Sequence, residues 1–185
     1  MDTSAELITQ QTKNWLDEIV IGLTLCPFAS SVVKDDAVDY TIVDSDDTEQ
    51  HLHALADGFT KLDQTSEIET SLIIFPNAYP VFEDYLELLL LSNLLLEDLN
   101  YIGTYQLASF HPDYRFDETE EDDASNFSNR SPYPMLHILR ESSVEKVIDH
   151  YENIDDIPEI NIKKLKDIGY ESMNLSLQTI LKSKL

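Results

Sequence analysis

His111 and Asp113 stand two apart in the stretch SFHPDYRF, Ser109 to Phe116. In an extended chain, residues i and i+2 point to the same side. Pro112 holds His111 extended, because the residue before a proline is pushed out of the helical region. The imidazole and the carboxylate are therefore expected to face one point. His137 follows in the stretch NRSPYPMLHILRE. His-x-Asp with a later histidine is the donor order of many two-histidine, one-carboxylate iron sites. Two neutral imidazoles and one carboxylate satisfy a divalent ion and leave positions open for substrate and oxygen. His111, Asp113 and His137 are thus the expected metal ligands. Iron(II) is the favoured ion; zinc becomes the better one if Cys26 converges with the histidines. The spacing to His137 is shorter than in jelly-roll oxygenases. Two other readings stay open: a metal-free acid–base role for the same residues, and a structural one. In the latter, His111 caps the strand end, Asp113 bonds turn amides and His137 is a satisfied helix histidine.

The three arginines, Arg115, Arg130 and Arg140, all fall in this part of the chain. A guanidinium grips a carboxylate or phosphate at two points. Arg140, three residues after His137, shares its face if the segment is helical. Arg130 would precede the N-terminus of that helix, itself favourable to anions. Arg130 and Arg140 are therefore expected to bind a small carboxylate or phosphate. Equally, the arginines could fold down the acidic loop Asp117 to Asp123. Asn126 and Asn129 read as turn formers rather than ligand-orienting groups. Tyr114, Phe116 and Tyr133 could line a pocket, with the core as their favoured place. Cys26 is the remaining nucleophile or ligand candidate. At the end of a helix its thiolate is disfavoured, and a small buried hydrophobe is the simpler role. His51, His53 and His150 are expected at the surface.

The elements that must position these groups are legible as periodicities. Ile8, Trp15, Leu16, Ile19, Val20 and Leu23 recur at helical spacing over Ala5 to Leu25, stopped by Cys26-Pro27. Val38, Tyr40 and Ile42 alternate as a half-buried strand. Asp46 to Leu62 reads as a helix with Leu52, Leu55, Ala56 and Phe59 inward. Ser71 to Phe75 is a short central strand, Phe82 to Leu99 an apolar helix, and Tyr101 to Phe110 a third strand. A fourth helix is expected from Ser131, as N-cap with Pro132 behind it, to Tyr151. It would bury Leu136, Leu139, Val144, Val147 and Ile148. A last helix covers Pro158 to Leu181. The order αβαβαβαα predicts an α/β domain (α+β is possible), with a small sheet of three strands, or four if one is hidden, covered by helices.

The 185 residues suit one domain. With 36 acidic and 12 basic residues the formal net charge is −24, which repels nucleic acid and anionic membranes. Cys26 is the single cysteine, in keeping with a reducing compartment. The start, MDTSAELITQQTKNW, lacks the basic-then-apolar pattern of a secretory signal. LELLLLSNLLL is too short to span a bilayer. A cytoplasmic protein is expected, with no nucleic-acid or membrane partner.

Three stretches in this order, WLDEIVIGLTLCPFA, YQLASFHPDYRF and NRSPYPMLHILRE, make the chain similar to the bacterial proteins grouped as domain of unknown function 1415. The likeness covers nearly the whole length. Thr24 departs from it, since the family carries asparagine there. The resemblance implies a single cytoplasmic domain with a site built from these motifs, and no particular reaction. Taken with the residues, the leading expectation is a small metal-dependent enzyme, oxidoreductase or hydrolase, acting on a small anionic molecule. The alternatives are a metal-free hydrolase or transferase using His111 or Cys26, and a non-catalytic acidic module that binds a basic protein.

Overall fold

The computed structural model describes residues 3–148 and 156–184. The first helix, α1 (Thr3–Trp15), runs into a π-helical turn, Leu16–Ile21. That turn closes at Gly22, where a Cβ would lie 2.4 Å from the Glu18 carbonyl oxygen. Thr24, at φ +54°, is in the left-handed region. Asparagine tolerates that region far better than a β-branched residue. The asparagine that the resemblance implies at position 24 thus suits the backbone without any polar role.

Next come α2 (Ala29–Lys34), β1 (Val38–Ile42), α3 (Thr48–Gln64), β2 (Thr70–Ile74), α4 (Phe82–Asp98) and β3 (Tyr105–Phe110). A 3-10 turn, Ala124–Ser128, precedes β4 (Met135–Arg140), α5 (Glu141–Ile148), α6 (Ile157–Ile168) and α7 (Tyr170–Lys182). The α/β reading holds, and among the described residues the sheet has four strands in the order β1-β2-β4-β3. β1 and β2 are parallel, joined by α3 in a βαβ unit, while β4 runs antiparallel to both β2 and β3. Hence β1, β2 and β3 point one way and β4 the other.

The fourth strand lies inside the expected fourth helix. Residues 135–140 are extended and only 141–148 are helical. The physical reason is position: β4 is central and covered on both faces, so MLHILR shows no polar–apolar alternation and looks as helical as extended. Pro132 and Pro134 flank the strand start rather than opening a helix. Leu136 is buried as expected, but Ile148 is exposed. The side chain of Val147, His150 and the expected end at Tyr151 lie outside the described residues. The single last helix is two, broken at Gly169 with φ +88°.

Two helical layers sandwich the sheet. One face of the strands packs on α3 and α4 through Leu55, Phe59, Ile73, Phe75, Tyr85, Leu88, Leu136 and Ile138. The other packs on α1, the π-helical turn, α6 and α7 through Trp15, Leu16, Val20, Leu72, Ile74, Met135, Leu165 and Leu177.

Candidate functional site

His111 leaves β3 on the α3/α4 face, buried between the rings of Phe82 and Tyr85. Its Nδ1 accepts from the Asp113 backbone N–H at 3.0 Å, so Nε2 carries the proton and donates to the Tyr79 carbonyl at 2.9 Å. Burial pushes its pKa down. Both nitrogens are engaged, and the Asp113 side chain is exposed. His111 therefore caps the strand end, the structural alternative read from the sequence.

His51 belongs to the same cluster. It was expected at the surface and is fully buried, whereas His53 is exposed as expected. Its Nδ1 meets the Tyr79 hydroxyl at 2.6 Å and its Nε2 donates to the Ser45 carbonyl at 2.9 Å. Tyr79 links the two histidines, with its hydroxyl on one and its carbonyl on the other.

His137 is on β4, not a helix, so residues an odd number apart face opposite ways. Its ring lies beside Phe110 on the α1 face, away from His111 and from the Arg140 side chain. The expected ligand set is therefore divided between the two sides of the sheet. Among the described residues, no three histidine, cysteine or carboxylate side chains could hold a metal ion. The residues present do not fit the expected iron or zinc centre.

The two candidate anion-binding arginines are also tied down. Arg130 is buried, with Nε donating to the Tyr114 carbonyl at 3.1 Å and a terminal nitrogen to the Glu121 carbonyl at 2.8 Å. Its guanidinium lies over the rings of Phe127 and Tyr170. Arg140 donates to the carbonyls of Leu62 and Ile68 and to the Tyr105 hydroxyl. Arg115 makes a loose surface pair with Glu83 at 3.8 Å. Arg130 does fold down the acidic loop, but through peptide carbonyls. Asn126 completes that task as a turn former: its Oδ1 accepts from the Phe116 N–H and the Thr119 hydroxyl, and its Nδ2 donates to the Glu120 carbonyl. Asn129 likewise donates to the Ser109 carbonyl. Tyr114 is half-buried, packed on Phe82 and Phe116.

What the sequence motifs do share is a cavity of about 230 Å³ on the other face. Trp15, Leu16 and Val20 form its roof, and Cys26, Phe28 and Val33 its side. Its floor is the sheet: Thr70 and Leu72 of β2, Ala108 and Phe110 of β3, His137 and Leu139 of β4. Ala108 lies directly across from His137 in the register, and its single methyl leaves room there. The π-helical turn contributes Leu16 and Val20; such turns often accompany functional sites.

Within this apolar space the His137 tautomer is fixed by Thr70. The Thr70 hydroxyl approaches both the Ile138 carbonyl and His137 Nε2, each at 2.5 Å. A carbonyl only accepts, so the one hydroxyl proton goes to Ile138. His137 Nε2 must then donate to Thr70 Oγ1, which leaves Nδ1 as a bare lone pair. Nδ1 has no partner among the described residues. Nor is it sealed off, because the only buried partnerless side-chain N or O atoms among them are Ser92 Oγ and Asn161 Oδ1. Desolvation lowers the His137 pKa to about 4, so the ring is neutral at pH 7.

Cys26 also lines the cavity, half-buried, and burial pushes its thiol pKa up. It rests as a thiol, in line with the hydrophobic role read from the sequence. The residues missed there are Thr70 and Ala108. Thr70 lies outside the motifs and Ala108 inside one, but each matters only through its cross-strand neighbour, which no local pattern reveals.

The family model described as "Protein of unknown function (DUF1415)" matches residues 7–175, and the chain belongs to that family. No curated protein and no solved structure matches the chain. Among the described residues no helix is long and apolar enough to cross a membrane.

Proposed function

We propose that this protein binds a small, mainly apolar molecule in the cavity between the N-terminal helices and the sheet, with His137 as the polar contact. The observation that carries this reading is the lone pair of His137 Nδ1, without a partner among the described residues, in a space walled mainly by hydrocarbon and aromatic rings, with Glu69, Gln106, Arg140 and Ser143 at its border. Binding pockets commonly have this make-up, apolar walls with very few placed polar groups. The volume is about one and a half times that of the 150 Å³ cavity that accepts benzene.

Of the chemistries read from the sequence, a metal-free role is the one these residues can support, and it passes from His111 to His137. With its conjugate acid near pH 4, the imidazole is a weak base at pH 7. It is better suited to holding a donor than to abstracting a proton. A small anionic molecule would find no free guanidinium on this face. Nor would the raised thiol pKa of Cys26 provide a ready nucleophile.

Trp15, the only tryptophan, forms part of the roof and serves as reporter. Toluene should perturb Trp15 emission and raise the melting temperature in a saturable manner. In Ala108→Leu, which fills the floor opposite His137, both responses should vanish while the variant stays folded. An unchanged toluene response in Ala108→Leu would place the binding elsewhere.

A further inference from the structure

The hydrogen-bonding state of the cavity restricts what it can hold more tightly than its shape does. Resting on the binding role proposed above, we infer that the cavity takes a neutral, hydroxyl-bearing molecule of about one-ring size, whose O–H donates to His137 Nδ1.

The Thr70 proton is committed to the Ile138 carbonyl, so the imidazole proton is committed to Thr70. With the tautomer reversed, the single Thr70 proton could serve only one of the Ile138 carbonyl and Nε2, and the other would face Thr70 Oγ1 lone pair to lone pair at 2.5 Å. Nδ1 can therefore only accept. An ether, ketone or carboxylate oxygen placed there would meet lone pair with lone pair. A hydroxyl would supply the missing proton and remove an unmade hydrogen bond.

Charge argues the same way. Among the described residues, two charged ones border the cavity, Glu69 and Arg140. The Arg140 guanidinium is held on the opposite face by Leu62, Ile68 and Tyr105. Glu69 accepts a hydrogen bond from the Ser143 hydroxyl of α5. Their formal charges cancel, and with the guanidinium already committed an anion entering a low-dielectric space would lose its hydration with no free cation among the described lining residues in return. Trp15, Phe28 and Phe110 offer ring edges and faces, which favour a flat, aromatic-sized occupant.

The test uses four probes of one shape with the full-length protein at pH 7, by calorimetry: toluene, 4-methylanisole, 4-methylphenol and 4-methylbenzoate. 4-Methylphenol should bind about tenfold more tightly than toluene or 4-methylanisole, the gain expected of one neutral hydrogen bond. 4-Methylbenzoate should not bind. In His137→Phe the phenol should lose its advantage. Independently of whether that variant folds, nitrogen NMR of the wild-type imidazole should show a protonated Nε2 and a bare Nδ1, with the Nδ1 signal moving when 4-methylphenol is added. Equal binding of toluene and 4-methylphenol would overturn the inference while leaving the cavity as a binding site. So would tightest binding by 4-methylbenzoate, or a proton found on Nδ1. Failure of all the neutral probes would instead overturn the binding role itself.

Discussion

The two faces of the sheet solve the same packing problem differently. Under α3 and α4, every large position is filled, with Phe59, Phe75, Tyr85 and Leu136 all fully buried. The two buried histidines there are closed on themselves, since both nitrogens of His111 and of His51 have protein partners; the Ser92 hydroxyl of α4 alone is buried there without a partner among the described residues. Under α1, small floor residues and a widened helical turn leave a space, and one histidine nitrogen opens onto it. The difference separates structural from functional polarity. A buried histidine with two satisfied nitrogens fixes a fold, whereas one with a single satisfied nitrogen awaits a partner.

Truncation is the bluntest way to break this contrast. On the filled face, Phe59→Ala should cost about 3–5 kcal/mol, because its neighbours cannot collapse into the void. Urea unfolding measures this. Ala108→Leu on the open face should be neutral or stabilising. If both substitutions destabilise equally, the cavity is not free space and the comparison fails.

Acid sharpens it. Burial depresses the pKa of both His111 and His137, the latter to about 4, while an unfolded histidine titrates near 6.5. Between those values the unfolded chain binds protons that the folded chain refuses, so stability rises with pH in that window. The His137 contribution is therefore complete above about pH 6.5, shrinks as pH falls, and reaches its floor near pH 4. It amounts to at most about 3 kcal/mol, less if water in the cavity screens the ring. His137→Leu should remove that part of the pH dependence in urea titrations and leave the His111 part. A pH profile unchanged by the substitution would mean that the ring is hydrated and ordinary.

The smallest expected effect concerns the cavity roof's continuation. Thr24→Asn should stabilise by about 0.5–1 kcal/mol, by relieving a β-branched residue at φ +54°. Toluene binding should not change.

Much of this was readable beforehand, for reasons that differ by element. The periodicity of α3 was visible because it has one wet and one dry face, and the alternation of β1 because Val38, Tyr40 and Ile42 pack on the core between the polar Asp39 and Thr41, although all five residues are half-buried. β4 was not, because both its faces are dry, and with it went the orientation of His137 and Arg140. The rule that His51 and His53 cannot face together was sound. It does not say which of them turns inward, and a partner as remote as Tyr79 settles that. The metal expectation rested on His111 and His137 sharing a side; their division follows from the strand assignment alone. The cavity had no local signature, because Thr70, Ala108 and His137 meet only through strand pairing.

The grip of Arg130 on the acidic loop has a consequence of its own. It holds the carbonyls of Tyr114 and Glu121, and peptide oxygens do not titrate. The side chains of Asp117, Glu118, Glu120, Glu121 and Asp122 project outward as an unconstrained set. Conditions that neutralise or mask those carboxylates leave the Arg130 fastening untouched, and the one carboxylate of the loop that does hold it, Asp123 on Ser125 and Lys166, has its pKa lowered by those partners and gives up its charge late.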